Sequence, residues 1–153
     1  MTIGKAIDRA DRERPNGYTL SEKIEWLSEL DAQVYREVLL MAEENWKYRE
    51  ITEEITDPEG NVIETKTYTD YDTQVPAIEF AGYDTETPLD TEMLIDDAYG
   101  KAYVKWLIMN YDDVGRNSED YNNSVMSFNS VYNSYIADYR RNHMPRTRKV
   151  RGI

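Results

Sequence analysis

The chain has 153 residues, enough for one domain, and a formal net charge of −12. It contains no cysteine, which excludes a disulfide framework and any thiolate metal site. Leu, Ile, Val and Phe together make up only about a fifth of the residues, while thirteen Tyr and three Trp supply the missing apolar area. A chain composed this way is expected to finish part of its packing against other subunits.

The charge is unevenly placed. From residue 140 onward the sequence holds Arg140, Arg141, Arg146, Arg148, Lys149 and Arg151 and no acid, so the body before it is strongly acidic. An acidic body repels nucleic-acid backbones. The start lacks the basic and apolar segments of a signal peptide. The longest apolar runs, such as Val38-Leu39-Leu40-Met41-Ala42, are too short to span a bilayer, so a soluble protein is expected.

In chain order, residues 2–13 predict a short helix, with Thr2 as cap and Ile3, Ile7 and Ala10 on one face. Pro15-Asn16-Gly17 breaks it. A longer helix starts near Ser21, with Ile24, Leu27, Leu30, Val34, Val38 and Met41 at steps of three and four; it ends before Arg49, with room for a kink at Leu30-Asp31.

Residues 50–69 then predict a β-hairpin. Ile51–Thr56 and Val62–Thr69 alternate around Asp57-Pro58-Glu59-Gly60, whose Asp, Pro and Gly stand where a type I turn prefers them. Neither face is strongly apolar, so the hairpin is expected to project or to pair with a neighbour. Residues 70–92 follow as a long loop with Pro76, Gly82 and Pro88. Such a length in a small domain fits either a mobile excursion or a segment that docks on a partner through Val75, Ile78, Phe80 and Tyr83.

Two further helices are expected. Residues 92–112 space Ile95, Tyr99, Ala102, Trp106 and Met109 helically, and Asp112-Asp113-Val114-Gly115 interrupts. Residues 118–142 carry the strongest period in the chain, Tyr121, Val125, Phe128, Tyr132, Tyr135 and Tyr139. That stripe reads as a packing seam, with stacking on nucleic-acid bases as the alternative; Glu119, Asp120 and Asp138 on the same helix weigh against stacking. Met144-Pro145 ends the helix, and a basic tail, residues 143–153, follows the domain of residues 1–142.

Residues that would carry chemistry are scarce. His143 is the single histidine, at the end of the last helix, where the helix dipole favours it. The acid pairs Glu43-Glu44, Asp96-Asp97 and Asp112-Asp113 do not converge, because adjacent helical residues point apart. Asp70-Tyr71-Asp72 begins a calcium-loop pattern but lacks its central Gly, and no phosphate-binding glycine loop is present. The expectation is therefore no enzyme, no metal and no cofactor. The basic tail has three readings: a solvated end that balances the helix dipole, a phosphate binder, or a dock for an acidic neighbouring subunit.

The run Tyr121-Asn122-Asn123-Ser124-Val125-Met126-Ser127-Phe128-Asn129-Ser130-Val131-Tyr132, with Tyr139 and Asn142-His143-Met144-Pro145, resembles the head-tail connector or adaptor proteins of tailed phages of Gram-positive bacteria. Ile7-Asp8 to Pro15-Asn16, Lys23-Ile24-Glu25-Trp26-Leu27-Ser28-Glu29-Leu30-Asp31 and Tyr83-Asp84-Thr85-Glu86-Thr87-Pro88-Leu89 match the same family in style. The resemblance implies a homo-oligomeric ring, commonly of twelve, that joins the portal protein to the next connector or the tail in the virion neck. It is assembled in the host cytoplasm, and DNA passes through without specific binding and without any membrane. It carries no catalytic residue.

The expected architecture is mainly α: a small bundle of three to four helices with an inserted β-hairpin and a long loop. Residues 92–142 would form a central antiparallel pair packed on residues 21–44. The alternatives are another virion component, on the tail side or associated with the capsid, or a small regulatory module that binds nucleic acid through the basic tail.

Overall fold

A computed structural model describes residues 1–115 and 118–147. Among these the chain is mainly helical with one two-stranded antiparallel hairpin. Helix α1 spans Ile3–Glu13, and the Thr2 hydroxyl accepts from the Lys5 N–H, satisfying one of the donors a helix start leaves free. Its face of Ile3, Ala6, Ile7 and Ala10 is buried. Helix α2 spans Leu20–Glu37 and opens with a capping box: Thr19 Oγ1 accepts from the Glu22 N–H, and the Glu22 carboxylate accepts from the Thr19 N–H. It runs without a break through Leu30-Asp31 and buries Ile24, Leu27, Leu30 and Val34.

After α2 the backbone makes two single 3-10 turns, Leu39–Met41 and Glu43–Asn45, and enters strand β1, Trp46–Thr56. Strand β2 is Val62–Pro76. The hairpin is thus longer at both ends than the expected 50–69. At the tip the Gly60 N–H donates to the Asp57 carbonyl, and the Asp57 carboxylate accepts from the N–H groups of Glu59 and Asn61. Gly60 has φ +88°, which a side chain would strain, so glycine fits the last turn position. Near the root the register jumps from Tyr48↔Gln74 to Arg49↔Asp70, so Tyr71, Asp72 and Thr73 bulge out of the ladder.

The expected loop 70–92 is therefore strand as far as Pro76. The rest, residues 77–96, is fastened to the helices. The Tyr35 hydroxyl donates to the Ile78 carbonyl, and Ser28 Oγ accepts from the Tyr83 N–H. Phe80 meets Tyr83 edge to ring and Tyr35 at a tilt. Gly4 lets this segment come close: its N–H donates to the Leu89 carbonyl at 2.8 Å, and a Cβ there would stand 3.2 Å from that oxygen.

The helix expected over 92–112 begins only at α3, Lys101–Val114. Its N-terminal third is irregular, with a single 3-10 turn at Asp97–Tyr99, because the N–H groups of residues 93–95 are used elsewhere. Met93 donates to the Met1 carbonyl, Leu94 to the Asp31 carboxylate and Ile95 to the Tyr103 hydroxyl. Ile95 is buried as predicted, but from an irregular segment rather than a helix turn. Helix α4, Ser118–Asn142, has the predicted bounds, and its main packing is against α3.

The core is built from both aliphatic and aromatic residues. Ile3, Leu27, Leu30, Val34, Leu107 and Tyr103 have no exposed surface, and Tyr135 has almost none. Each fully buried aliphatic side chain of this kind contributes about 1.5–3 kcal/mol. Three ionisable side chains are buried, Lys23, Asp31 and Asp112, and Asp31 lies deepest. Asp31 is fully buried and accepts from Tyr83 Oη at 2.5 Å, Tyr103 Oη at 2.6 Å and the Leu94 N–H at 3.1 Å. Burial raises its carboxyl above the ordinary range, and the three donors pull the other way. A buried carboxylate without such donors would be prohibitively costly, so Asp31 also fixes where α3 and the 77–96 segment sit against α2.

A second polar cluster closes the far end. Lys23 donates to Asp11 at 2.9 Å, and Arg14 pairs with Asp112 at 3.2 Å and Asp120 at 3.0 Å. Burial alone would raise the Asp11 carboxyl, but hydrogen bonds from Lys23, Asn16 and Tyr111 bring it below its ordinary value.

Candidate interaction surface at the hairpin root

Five pieces of chain meet where the hairpin leaves the helices: the end of α2, the two 3-10 turns, the β2 bulge, the end of α4 and the segment after it. The short turns follow from sequence. Asn45 cannot continue a helix with its side chain committed, and its amide donates to the Leu39 carbonyl and to Tyr139 Oη, both at 2.7 Å. This ties the hairpin root to α4. Trp46 then turns its indole back, and Nε1 donates to the Leu40 carbonyl at 2.8 Å.

The segment after α4 is pinned on the same spot. Pro145 bridges Ala42, the Glu43 N–H donates to the Met144 carbonyl, and the Arg146 N–H donates to the Met41 carbonyl. The Arg146 guanidinium lies 3.3 Å from the centre of the Trp46 ring and reaches Gln74. A guanidinium at that distance over an indole is a favourable cation–π contact, worth about 0.5–2 kcal/mol according to exposure. His143 stacks on Tyr139 with ring centres 3.8 Å apart and faces the Glu44 carboxylate.

Around this junction the surface is unusually apolar for so polar a chain. Met41, Tyr48, Tyr71 and Met144 are exposed there by 41–77% of their surface. Tyr48 and Tyr71 meet edge to face at 5.2 Å, held out by the bulge. With Trp46 they line an open cleft of about 700 Å³ whose charged walls are Arg36, Arg146, Glu43 and Asp72. A smaller, mostly apolar recess of about 270 Å³, lined by Met41, Tyr139, Arg140 and His143, adjoins it. Aromatic and Met side chains with Arg at the rim are the composition of protein-binding surfaces.

The sequence-derived site residues fall in three places. Of the basic set, Arg140 and Arg141 are exposed on the last turn of α4, with Arg141 paired to Asp138, and Arg146 is in the cleft wall. Arg148, Lys149 and Arg151 lie outside the described residues. Of the α4 stripe, Phe128, Tyr132 and Tyr135 are buried, and Tyr121, Val125 and Tyr139 are half-buried. The rings contact in series from Trp106 through Phe128, Tyr132, Tyr135 and Tyr139 to His143. Of the loop set, Val75 lies in β2 opposite Lys47, Ile78 is at the surface, and Phe80 and Tyr83 pack against this chain's own α2 residues.

Trp46, Tyr48 and Tyr71 were not singled out as site residues from sequence, and Met41 was expected on the apolar face of the second helix; α2 ends at Glu37, and Met41 is exposed in the 3-10 turn that follows. Their common position depends on the bulge and on the return of Arg146, neither of which has a local sequence mark. Among the described residues no group of three or more His, Asp or Glu converges to hold a metal ion, and no helix is long and apolar enough to cross a membrane. No protein-family model, curated protein or solved structure matches the chain.

Proposed function

We propose that this chain is a structural, non-enzymatic assembly subunit, and specifically a head-to-tail adaptor of a tailed bacteriophage. Its helices form a small bundle from which the hairpin reaches out. Copies make a ring, commonly twelve in the family it resembles, that joins the portal to the next connector or the tail in the virion neck. The observation that carries this reading is the hairpin itself. From Arg49 to Tyr68 it pairs only with itself and is exposed apart from Ile51 and Asp57, and an aromatic cleft lies open at its root. Two exposed strands of this length are marginal in water on their own. They are stable additions when a neighbouring subunit covers them.

The motif of α4 from Tyr121 to Pro145 supplies the phage assignment, and the acidic body supports a DNA channel that does not bind its cargo. The basic end is assigned to the portal or to a neighbouring subunit. The test is binding to portal-bearing capsids without a tail, followed by sedimentation and electron microscopy. The intact chain should co-sediment and add a ring of density below the portal. A chain ending at Arg146 should keep its helical circular dichroism and lose that binding. Unimpaired binding of the shortened chain would refute the role of the tail, and no binding by the intact chain would refute the adaptor reading.

A further inference from the structure

We infer that the tip of the hairpin of one copy docks in the root cleft of a second copy, so that subunits join head to tail; this rests on the adaptor reading and names its subunit contact. The tip is apolar within an acidic surround. Val62 and Ile63 are 53% and 66% exposed, although they stand beside a turn that is otherwise polar. From residue 50 to 66 the ribbon carries Glu50, Glu53, Glu54, Asp57, Glu59 and Glu64 against Lys66 alone.

The root cleft has the complementary character. Its floor is Met41, Trp46, Tyr48 and Tyr71. The neighbouring cations are Arg36 and Arg146 in its wall and Arg140 in the adjoining recess. Glu43 and Asp72 stand against the two wall arginines, and Arg140 at the end of α4 leaves one positive charge in excess. An acidic ribbon with an apolar end matches an apolar floor beside a basic rim.

The two surfaces cannot meet within one chain. They lie at opposite ends of one ribbon, and the eleven residues of β1 span roughly 35 Å at about 3.3 Å per residue. The contact is therefore between copies, and it is heterologous: each copy offers a tip to one neighbour and a cleft to the other. Such a contact closes into a ring or continues as a filament, and does not stop at a symmetric dimer.

The test uses two full-length double variants. The tip variant is Val62→Asp with Ile63→Asp, and the cleft variant is Met41→Glu with Tyr71→Glu; all four side chains are exposed, so far-ultraviolet circular dichroism should be unchanged. Wild-type chain in a sedimentation series should associate with concentration, less so in high salt. Each variant alone should associate at least about tenfold more weakly. Mixed one to one, the variants should form dimers and nothing larger, because one intact tip and one intact cleft remain. Wild-type-like assembly of either variant, or a mixture that stays monomeric, overturns the contact while the adaptor reading stands on portal binding. A wild-type chain that remains monomeric at all concentrations also overturns it.

Discussion

The helical part and the hairpin of this chain solve opposite problems. The helices bury Leu27, Leu30, Val34 and Leu107 completely and satisfy even a buried carboxylate, Asp31, with three donors. The hairpin has backbone pairing and little else: Arg49–Asp70 and Tyr68–Glu53 are contacts in open solvent between its own strands. Both regions are rich in polar residues, so composition does not separate them. What separates them is whether each polar group meets a partner inside the chain. The lesson is that tyrosine makes a self-sufficient core when its hydroxyls are directed, as Tyr83 and Tyr103 are toward Asp31. The exposed rings lie on the ribbon and at its root, as Tyr48, Tyr68 and Tyr71, while those of the tyrosine helix are buried or half-buried.

This contrast can be broken from the helical side first. Burial raises the hydroxyl pKa of Tyr132 to about 12 and holds those of Tyr83, Tyr103, Tyr111 and Tyr135 higher still. The folded state binds these protons more tightly than the unfolded state does, so their contribution is complete below pH 10 and is lost as pH rises through and beyond that window. Absorbance at 295 nm should therefore rise in two steps, exposed tyrosines first. The second step should coincide with loss of the helical signal; a single smooth titration with no unfolding would contradict the packing described.

Next in size is Asp31→Ala, which removes the acceptor of Tyr83, Tyr103 and Leu94. It should cost about 3 kcal/mol or more in urea unfolding, since each orphaned buried donor costs about 1–3 kcal/mol. A loss below about 1 kcal/mol would mean that those groups find other partners. Thr19→Ala, which dismantles the capping box of α2, should cost about 1 kcal/mol by the same measurement. Smallest of all should be excision of residues 49–70 with a short glycine-containing turn in their place. The helical circular dichroism should survive and the midpoint should move little. Collapse of the helices on excision would show that the ribbon supports the core and would end the distinction between the two regions.

Legibility from sequence followed the same division. Helices α1, α2 and α4 were visible because a cap or breaker and a three-four apolar step coincide at each, as Thr2 with Ile3 and Ile7, or Tyr121 through Tyr139 before Pro145. The hairpin turn was visible in Asp57-Pro58-Glu59-Gly60, but not its length, because Trp46–Tyr48 and Asp70–Pro76 pair around a bulge that alternation cannot register. Residues 92–100 misled because Ile95 and Tyr99 keep helical spacing by coincidence, while the N–H groups of residues 93–95 go to Met1, Asp31 and Tyr103, distant in sequence. The root cleft was invisible for a related reason. Arg146 and Trp46 are a hundred positions apart, and only the folded chain brings them into contact.

That stack has a mechanical consequence. Because Pro145 is laced to Ala42 and Arg146 caps the first indole of β1, the segment after α4 and the root of the ribbon are fastened at one point. Loosening either one bares the same ring. Trp46, beneath a cation, is a built-in optical gauge whose emission would register that release.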